Sequence, residues 1–465
     1  MELYRSELNN PVRNIRLLLP GTEATYETNP WAQEWIDKLT PFKTIRFMDW
    51  GATNGSTLEE WEDRPKVSDF SYTLKGIPYE WWAEVCNANQ ANAWICVPHL
   101  ADETYVTELA TLFRDQLDPS LKIYVEYSNE LWNWIFPQAH YGNDELDQDL
   151  PWPERLAPRI AEVMQIWTDV FGADSDRLVR VLATQNGWFD IGNRMYLQLE
   201  ADGNANLIDA LSPSGYMYYY TEPIAALGAN ATANDVLEQA RALSFNEEDW
   251  LMRSWRQHAA LAEENDLRLL FYEAGEHFTP EPWGTVQPYT PALQNAHVDL
   301  GMYDLYLELF DTLANLSTGQ ELLMHFSFIT PPPEGDPNEG AYGNFGALQS
   351  QFFQFPPFES APKYRALTDY LASCVSTSTE ELSFFADKPL FISPNPAIER
   401  LQLQSTYWWK GAEWRIINSL GHQVRSGIVQ QEHEILDISD LPSGIFFIEI
   451  QKGTSKQVLK FIVEH

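Results

Sequence analysis

The feature that most constrains the fold is a regular alternation of short apolar runs with longer amphipathic stretches before residue 372. Eight of the apolar runs have the length and composition of buried β-strands: NIRLLL, TIRFMDW, NAWICVPH, KIYVEYSNE, LVRVLATQ, LIDALSPSGYM, RLLFYEAGE and LLMHFSFI. The stretches between them, such as TYVTELATLFRDQL and PRIAEVMQIWTDVF, repeat apolar residues three and four positions apart, which predicts helices. Eight βα units predict an α/β fold, a (β/α)8 TIM barrel over residues 1–372.

Charge and composition exclude several classes of function. The chain has 30 Lys and Arg against 67 Asp and Glu, a net charge of −37, so it is an acidic protein and a poor ligand for the phosphates of nucleic acid. No run approaches about 18 consecutive apolar residues, which predicts that the chain has no membrane span. Three cysteines and nine scattered histidines show no ligand spacing. We therefore expect no metal and no cofactor.

A second domain is predicted at the C-terminal end. From Ala386 onward the chain carries eight Lys and Arg and nine Asp and Glu, so this part is nearly neutral. The part before Ala386 is strongly acidic, with 22 Lys and Arg and 58 Asp and Glu. This shift follows the polar stretch STSTEELS, so residues 373–385 are predicted to be a linker. Beyond it the apolar periodicity is close to two in RLQLQS, EWRIINSL, HEILDIS, GIFFIEIQ and KQVLKFIVE. Short strands at this spacing predict a small all-β sandwich over residues 386–465.

This segment resembles the C-terminal sorting domain of the type IX secretion system. The matching features are SPNP at 393–396, Gly421, LPSGIFFIEI at 441–450 and the closing KFIVEH. The resemblance implies a secreted or cell-surface protein whose C-terminal domain is bound by the type IX secretion machinery. The start MELYRSELNN lacks the basic and apolar regions of a signal peptide, so whether an N-terminal region is missing stays open.

Polar residues that close apolar runs are the candidates for chemistry, because active residues of a barrel lie at the C-terminal ends of its strands. The fourth run ends in Asn129 and Glu130, and the seventh contains Glu273 directly after the apolar residues RLLFY. Strands four and seven can direct both carboxylates into one cleft. Glycoside hydrolysis requires such a pair, one carboxyl to protonate the leaving oxygen and one to attack the anomeric carbon.

At these residues the chain resembles the clan A glycoside hydrolases, which are retaining (β/α)8 enzymes. The resemblance implies that Glu130 is the acid/base and Glu273 the nucleophile. The segments TIRFMDW, WEDRP, CVPHLADETYV, YVEYSNELWN and YEAGEH also look like a family of secreted bacterial clan A-like proteins, over residues 12–350. The sequence therefore predicts a secreted retaining β-glycosidase that hydrolyses a poly- or oligosaccharide without a cofactor.

The same resemblance implies four supporting residues. Asn129 corresponds to the asparagine that binds the sugar 2-hydroxyl, and Arg46 to the second-strand arginine that keeps the nucleophile ionised. His99 and Tyr216 resemble the third-strand histidine and the sixth-strand tyrosine of the clan. Trp132 or Trp134 is predicted to stack on a sugar ring, because both follow Glu130 directly.

Several alternatives remain open in the sequence. Glu276 is a rival for the nucleophile, and Tyr218, Tyr219 and Tyr220 are rivals of Tyr216. Glu126 is expected to form a buried ion pair with an arginine. A non-catalytic carbohydrate-binding barrel displayed at the cell surface is the alternative to an enzyme, since a fold alone does not establish activity. The sugar, the linkage, endo or exo action and the oligomeric state are not specified.

Overall fold

The computed structural model describes most of the chain. The described residues are 6–7, 9–11, 18, 20–26, 31–69, 71–317, 322–331, 340–351, 361–375, 390–393, 397, 400–405, 409–418, 422–431, 433–452 and 455–463. The first predicted strand, residues 14–19, falls outside the described residues apart from residue 18.

The other seven apolar runs all form parallel strands, in the predicted order. They are β1 (Thr44–Arg46), β2 (Asn92–Val97), β3 (Ile123–Tyr127), β4 (Leu178–Ala183), β5 (Ala210–Ser212), β6 (Gly215–Met217), β7 (Arg268–Leu269), β8 (Phe271–Glu276) and β9 (Leu323–His325). One predicted run supplies both β5 and β6, and another supplies β7 and β8. The hydrogen-bonded order is β1-β2-β3-β4-β5-β7, continued by β6-β8-β9.

Helices lie between the strands, as the amphipathic stretches predict. They are α1 (Gln33–Leu39), α2 (Tyr79–Asn89), α3 (Glu103–Gln116), α4 (Pro137–Asp144), α5 (Leu156–Phe171), α6 (Phe189–Ala201), α7 (Thr221–Leu227), α8 (Ala233–Ser244), α9 (Trp250–Glu264), α10 (Thr290–Ala296), α11 (Gly301–Leu316) and α12 (Pro362–Val375). The caps of α3 and α8 fix where these helices begin, since Asp102 and Thr232 each accept a hydrogen bond from a backbone N–H of the first turn.

The sheet curls toward closure. Strand β7 lies five positions from β1 in the hydrogen-bonded order, which would separate them by about 24 Å in a flat sheet at about 4.8 Å per strand. Arg46 at the end of β1 nevertheless lies 2.7 Å from Glu273 on β8, which continues β7. The ends of the sheet therefore face one another across a shared interior, the arrangement that a barrel requires.

Closure is incomplete within the described residues. There β1 pairs only with β2, and β9 only with β8. A cavity of about 850 Å³ lies between them, and Leu39, Phe42, Ile45, Phe310, Leu313 and Leu323 supply part of its apolar lining. The described part of the chain thus provides seven of the eight predicted strand positions.

The tail forms two antiparallel sheets. Its strands are β10 (Leu390–Ser393), β11 (Arg400–Ser405), β12 (Glu413–Asn418), β13 (Gln423–Ile428), β14 (His433–Asp437), β15 (Gly444–Lys452) and β16 (Ser455–Val463). The sheet orders are β10-β11-β14 and β13-β12-β15-β16. Leu403 and Leu436 of the first sheet share one buried cluster with Ile416, Ile448 and Phe461 of the second, which is the core of a sandwich.

The buried residues of the tail form a cluster separate from that of the barrel-like part. Helix α12 ends at Val375, three residues into the stretch predicted as a linker, and the rest of that stretch lies outside the described residues. Of the helices described, none combines the length and the apolar character needed to cross a membrane.

Candidate active site

Glu130 stands on strained backbone just beyond the end of β3. Ser128 and Glu130 have φ angles of +61° and +44°, in the left-handed region that residues with a side chain rarely adopt. Such conformations cost about 1–3 kcal/mol each and persist where the surroundings fix them, most often at functional sites. Here the N–H of Ser128 is held by the carbonyl of Val97 at 2.8 Å. The strained backbone at Ser128 and Glu130 thus sets the direction in which the Glu130 side chain leaves the main chain.

Two uncharged donors hold the carboxylate of Glu130. The hydroxyl of Tyr272 donates to Oε1 at 2.8 Å, and Nδ2 of Asn133 donates to Oε2 at 2.8 Å. Tyr272 immediately precedes Glu273 on β8, so one strand supplies both a catalytic candidate and a partner of the other candidate. The two carboxyl groups therefore belong to one site.

Glu273 is bound by one charged and one uncharged donor. Nη1 of Arg46 lies 2.7 Å from Oε1, and the Tyr216 hydroxyl donates to Oε2 at 2.9 Å. Burial, the largest cause, and the charge of Glu130 together raise the pKa of Glu273 to about 7 against the opposing effects of Arg46 and Tyr216. The charge of Glu130 thus contributes to the electrostatics of Glu273.

Arg46 is shared between carboxylates. Its Nη2 lies 2.9 Å from Glu126, which forms the buried arginine ion pair expected from the sequence. Glu126 also accepts a hydrogen bond from Nε1 of Trp94 at 2.8 Å. The same Nη2 of Arg46 donates to Oδ1 of Asn129 at 2.8 Å, so Asn129 belongs to this network. The guanidinium of Arg46, on β1, thus contacts three predicted residues, which are Glu126 on β3, Asn129 just beyond β3 and Glu273 on β8.

The tyrosine rivals differ in their contacts. Tyr219 donates to the carbonyl of Thr279 at 2.8 Å, and Tyr220 is hydrogen-bonded to Asp249. Burial and the charges of Glu130 and Glu273 raise the pKa of Tyr218, so its hydroxyl lies within the field of the site. Among these four tyrosines, Tyr216 is the one with a hydrogen bond to Glu273.

Glu276, the rival nucleophile, has different partners. Nζ of Lys363 lies 2.8 Å from its Oε1, and Nδ1 of His297 lies 2.9 Å from the same oxygen. Burial alone would raise the pKa of Glu276, but His297 and Lys363 lower it to about 2. Its side chain ties β8 to the start of α12 and to the residue that follows α10. Arg46, the expected partner of a nucleophile, pairs with Glu273 and Glu126 instead.

The remaining predicted residues, His99, Trp132 and Trp134, differ in how far they are buried. His99 is buried and packs edge-on against Tyr141, and burial lowers its pKa to about 4, so its ring is neutral. Trp132 is only 8% exposed and makes a T-shaped contact with the ring of Tyr272. Trp134 is 45% exposed. Of the two tryptophans predicted to stack on a sugar, Trp134 is therefore the more exposed.

The hydrogen bonds of Tyr272 and Asn133 to Glu130 are not predicted from the sequence, because they depend on irregular backbone. In a regular strand Tyr272 and Glu273 would face opposite sides. The β8–β9 pairing shifts register between Phe271 and Ala274, and this irregularity accompanies the approach of both side chains to the site. The useful signal was the position of Tyr272 beside a candidate acid.

The described residues contain no group of three or more histidine, cysteine, aspartate and glutamate side chains placed to hold a metal ion. The site is instead a set of carboxylates, hydroxyls and one guanidinium. Such a set can exchange protons and offer a carboxylate as a nucleophile.

Several solved structures are similar to the chain over most of its length. A rhamnosyl-glucuronidase from Fusarium oxysporum 12S is 10% identical, with 95% of this chain and 92% of that chain covered and a TM-score of 0.43. An endo-β-1,4-mannanase from Cellulomonas fimi is 13% identical, with 83% and 80% covered and a TM-score of 0.32. At these TM-scores the likenesses do not determine the chemistry of the chain.

Another similar structure is PorZ, a surface component of the type-IX secretion system of Porphyromonas gingivalis. It is 11% identical, and the alignment covers 16% of this chain and 11% of that chain with a TM-score of 0.15. No curated protein matches the chain. Residues 392–464 match the family described as the secretion system C-terminal sorting domain, which confirms the resemblance found in the tail.

Proposed function

We propose that the chain is a retaining β-glycosidase with Glu273 as the nucleophile and Glu130 as the acid/base. The observation that carries this proposal is the binding of Glu273 by Arg46 and Tyr216 beside a second carboxylate, Glu130. Arg46 and Tyr216 both donate to Glu273 and so favour its ionised form, which is the form that attacks. The two donors of Glu130 are uncharged, which suits a group that must give up and regain a proton.

The reaction has two displacements. Glu273 attacks the anomeric carbon while the bond to the leaving oxygen breaks and the proton of Glu130 passes to that oxygen. Glu130, now a carboxylate, then takes a proton from water. The water oxygen attacks the anomeric carbon, the bond to Glu273 breaks, and the sugar leaves with its original configuration. Asn129, positioned by Arg46, faces the sugar 2-hydroxyl in this scheme.

The test is to trap the glycosyl-enzyme. The protein is first screened with 4-nitrophenyl β-glycosides of glucose, galactose, mannose and xylose, and with soluble β-1,4-mannan, β-1,4-galactan, β-1,4-xylan and mixed-linkage β-glucan. The activated 2-deoxy-2-fluoro glycoside of the sugar that is cleaved should then label Glu273. Tandem mass spectrometry of the labelled peptide separates Glu273 from Glu276, and a label on Glu276 would contradict the assignment.

Two matched variants separate an enzyme from a binding protein. Glu273→Gln and Glu130→Gln keep the shape of each side chain and remove its charge, so both should lose nearly all turnover while retaining affinity for the glycan. Azide should restore turnover of the 4-nitrophenyl glycoside to Glu130→Ala, because 4-nitrophenolate leaves without an acid and the anionic azide attacks the glycosyl-enzyme without a general base, giving the glycosyl azide and free Glu273. Glycan binding without turnover by the unsubstituted protein would favour the non-catalytic carbohydrate-binding barrel.

We also propose that an eighth strand completes the barrel in the apolar cavity between β1 and β9. Buried strand edges require hydrogen-bonding partners, and the cavity lining is largely apolar.

For the tail we propose a role in secretion. The match over residues 392–464 supports recognition by the type IX secretion machinery and a final location outside the cell or on its surface. We further propose that residues 1–372 and 386–465 are separate domains joined by a linker, since their buried clusters are separate. Removal of residues from Ser383 onward should leave a folded, active protein that is no longer exported. Continued export of the shortened chain would contradict the proposed role.

A further inference from the structure

Three tryptophans form an aromatic cluster beside the candidate acid/base. Trp134 follows β3, Trp152 lies in the segment before α5, and Trp188 follows β4. The ring centroids of Trp134 and Trp152 are 5.3 Å apart, and those of Trp152 and Trp188 are 5.7 Å apart. We name these three residues the tryptophan platform.

The platform is exposed although its members are large and apolar. Trp134 is 45% and Trp188 is 52% exposed, and the partly buried Trp152 contacts both. Contiguous exposed apolar surface is a feature of ligand-binding and interaction sites. The interplanar angles of 42° and 55° tilt the rings relative to one another, so they present separate faces rather than one stack.

Backbone contacts hold the platform in place. The carbonyl of Trp152 accepts a hydrogen bond from Arg194 at 2.8 Å, and the N–H of Trp188 donates to the side chain of Gln185 at 2.7 Å. The carbonyl of Trp134 lies 3.0 Å from Nε2 of His140. A backbone that is fixed in advance loses little conformational freedom when a ligand binds, which favours affinity.

The position of the platform assigns it to one side of the reaction. Trp134 lies four residues after Glu130, and Asn133, next to Trp134, donates to the carboxylate of Glu130. A general acid contacts the leaving oxygen, so whatever is attached to that oxygen extends on the side of Glu130. The platform therefore lies on the leaving-group side of the proposed site.

The chemistry of the ligand follows from the rings and the charge. Indole faces match the apolar faces of sugar rings, and the net charge of −37 opposes a polyanionic chain. We propose that the tryptophan platform binds the leaving-group portion of an uncharged glycan, so that the preferred substrate carries a carbohydrate leaving group. This inference rests on the proposed glycosidase function and specifies the class of its substrate.

The test compares two substrates that share the sugar bound by Glu273. A β-glycosyl fluoride has a leaving group too small to reach the platform, whereas a β-1,4-linked tetrasaccharide of the same sugar extends across it. Trp134→Ala and Trp188→Ala should each lower kcat/KM for the tetrasaccharide about 5–10-fold more than kcat/KM for the fluoride. Trp→Phe at either position should recover part of the loss.

Ile135→Ala is the matched control, because Ile135 is 65% exposed and adjacent to Trp134 but is not one of the clustered rings. Ile135→Ala should leave kcat/KM unchanged for both substrates. Equal losses on the fluoride and the tetrasaccharide, or no loss on either, would overturn the inference.

A second measurement does not depend on turnover. Electrophoresis through gels containing soluble β-1,4-mannan, β-1,4-galactan, β-1,4-xylan or mixed-linkage β-glucan should retard the unsubstituted protein more than the Trp134→Ala, Trp188→Ala double variant. If no glycoside or fluoride is hydrolysed but this difference is observed, the proposed enzyme fails while the platform remains a glycan site. If the two proteins migrate equally in all four glycans, the platform inference is wrong.

Discussion

The Tyr216 hydroxyl is the group whose removal tests the electrostatics of the site most directly. It donates to Oε2 of Glu273 at 2.9 Å from a buried position. A hydrogen bond to a charged group contributes about 1.5–3 kcal/mol, and about 1.4 kcal/mol corresponds to one pKa unit. Because the bond stabilises the carboxylate relative to the acid, Tyr216→Phe should raise the pKa of Glu273 by about one to two units from its value of about 7.

The sign of the effect on rate follows from the role of Glu273. The nucleophile reacts as the carboxylate, so kcat/KM rises with pH through the pKa of Glu273. In the unsubstituted protein this rise should be centred near pH 7, and in Tyr216→Phe near pH 8–9. At pH 7, where about half of Glu273 is ionised in the unsubstituted protein, the variant should therefore be about 5–50-fold slower, and part of the loss should be recovered at higher pH.

The assay is the pH profile of kcat/KM for the 4-nitrophenyl β-glycoside identified by the screen. Tyr219→Phe is the matched control, since its hydroxyl donates to a backbone carbonyl and not to an acid. Its profile should keep the original midpoint. A Tyr216→Phe profile that is displaced to lower pH, or that falls uniformly without displacement, would refute the electrostatic role of the hydroxyl.

Three further predictions concern the region around Glu276. Lys363→Met should lower the free energy of unfolding by about 3–5 kcal/mol in urea denaturation, because it removes the lysine that neutralises a buried carboxylate; an unchanged urea midpoint would contradict this. The pKa of Glu276 is about 2 in the folded protein and about 4.3 in the unfolded chain, so its ionised form stabilises the fold fully above about pH 4.3, and this stabilisation is lost as the pH falls through about 2. The difference in free energy of unfolding between the protein and Lys363→Met should therefore shrink between pH 6 and pH 3. A constant difference would show that other groups dominate. Gly275→Ala should destabilise the fold in the same assay, because Gly275 has a φ of +131° and a Cβ there would lie 2.8 Å from the hydroxyl of Tyr306.

Periodicity identified most of the fold because burial repeats along the chain. Seven apolar runs form strands in sequence order, and the five tail runs form β11, β12, β14, β15 and β16. Strand ends indicated the candidate site for the same reason, since parallel strands bring their C-terminal ends to one edge. Arg46 and Glu273 are 227 residues apart in sequence and yet form an ion pair.

Contacts between segments that no repeating apolar pattern relates could not be predicted from the sequence. Lys363 reaches Glu276 from the second position of α12, and nothing in the stretch PKYRALTDYLASCV distinguishes this lysine from a solvated one. The hydroxyl of Tyr272 reaches Glu130 where the β8–β9 register shifts, which a strict alternation of strand faces excludes. Both contacts depend on three-dimensional packing, in which local sequence is a weak guide.

The sharing of Arg46 favours Glu273 over Glu126 as the proposed nucleophile. Glu126 receives Nε and Nη2 of Arg46 as well as the indole N–H of Trp94, so its oxygens are occupied by donors from two strands. Glu273 receives Nη1 of Arg46 and one hydroxyl, and its pKa is raised to about 7 by burial. A carboxylate that is held less completely retains basicity and a lone pair for a new bond. In the proposed mechanism the same guanidinium therefore holds Glu126 in a structural ion pair and leaves Glu273 available as the nucleophile.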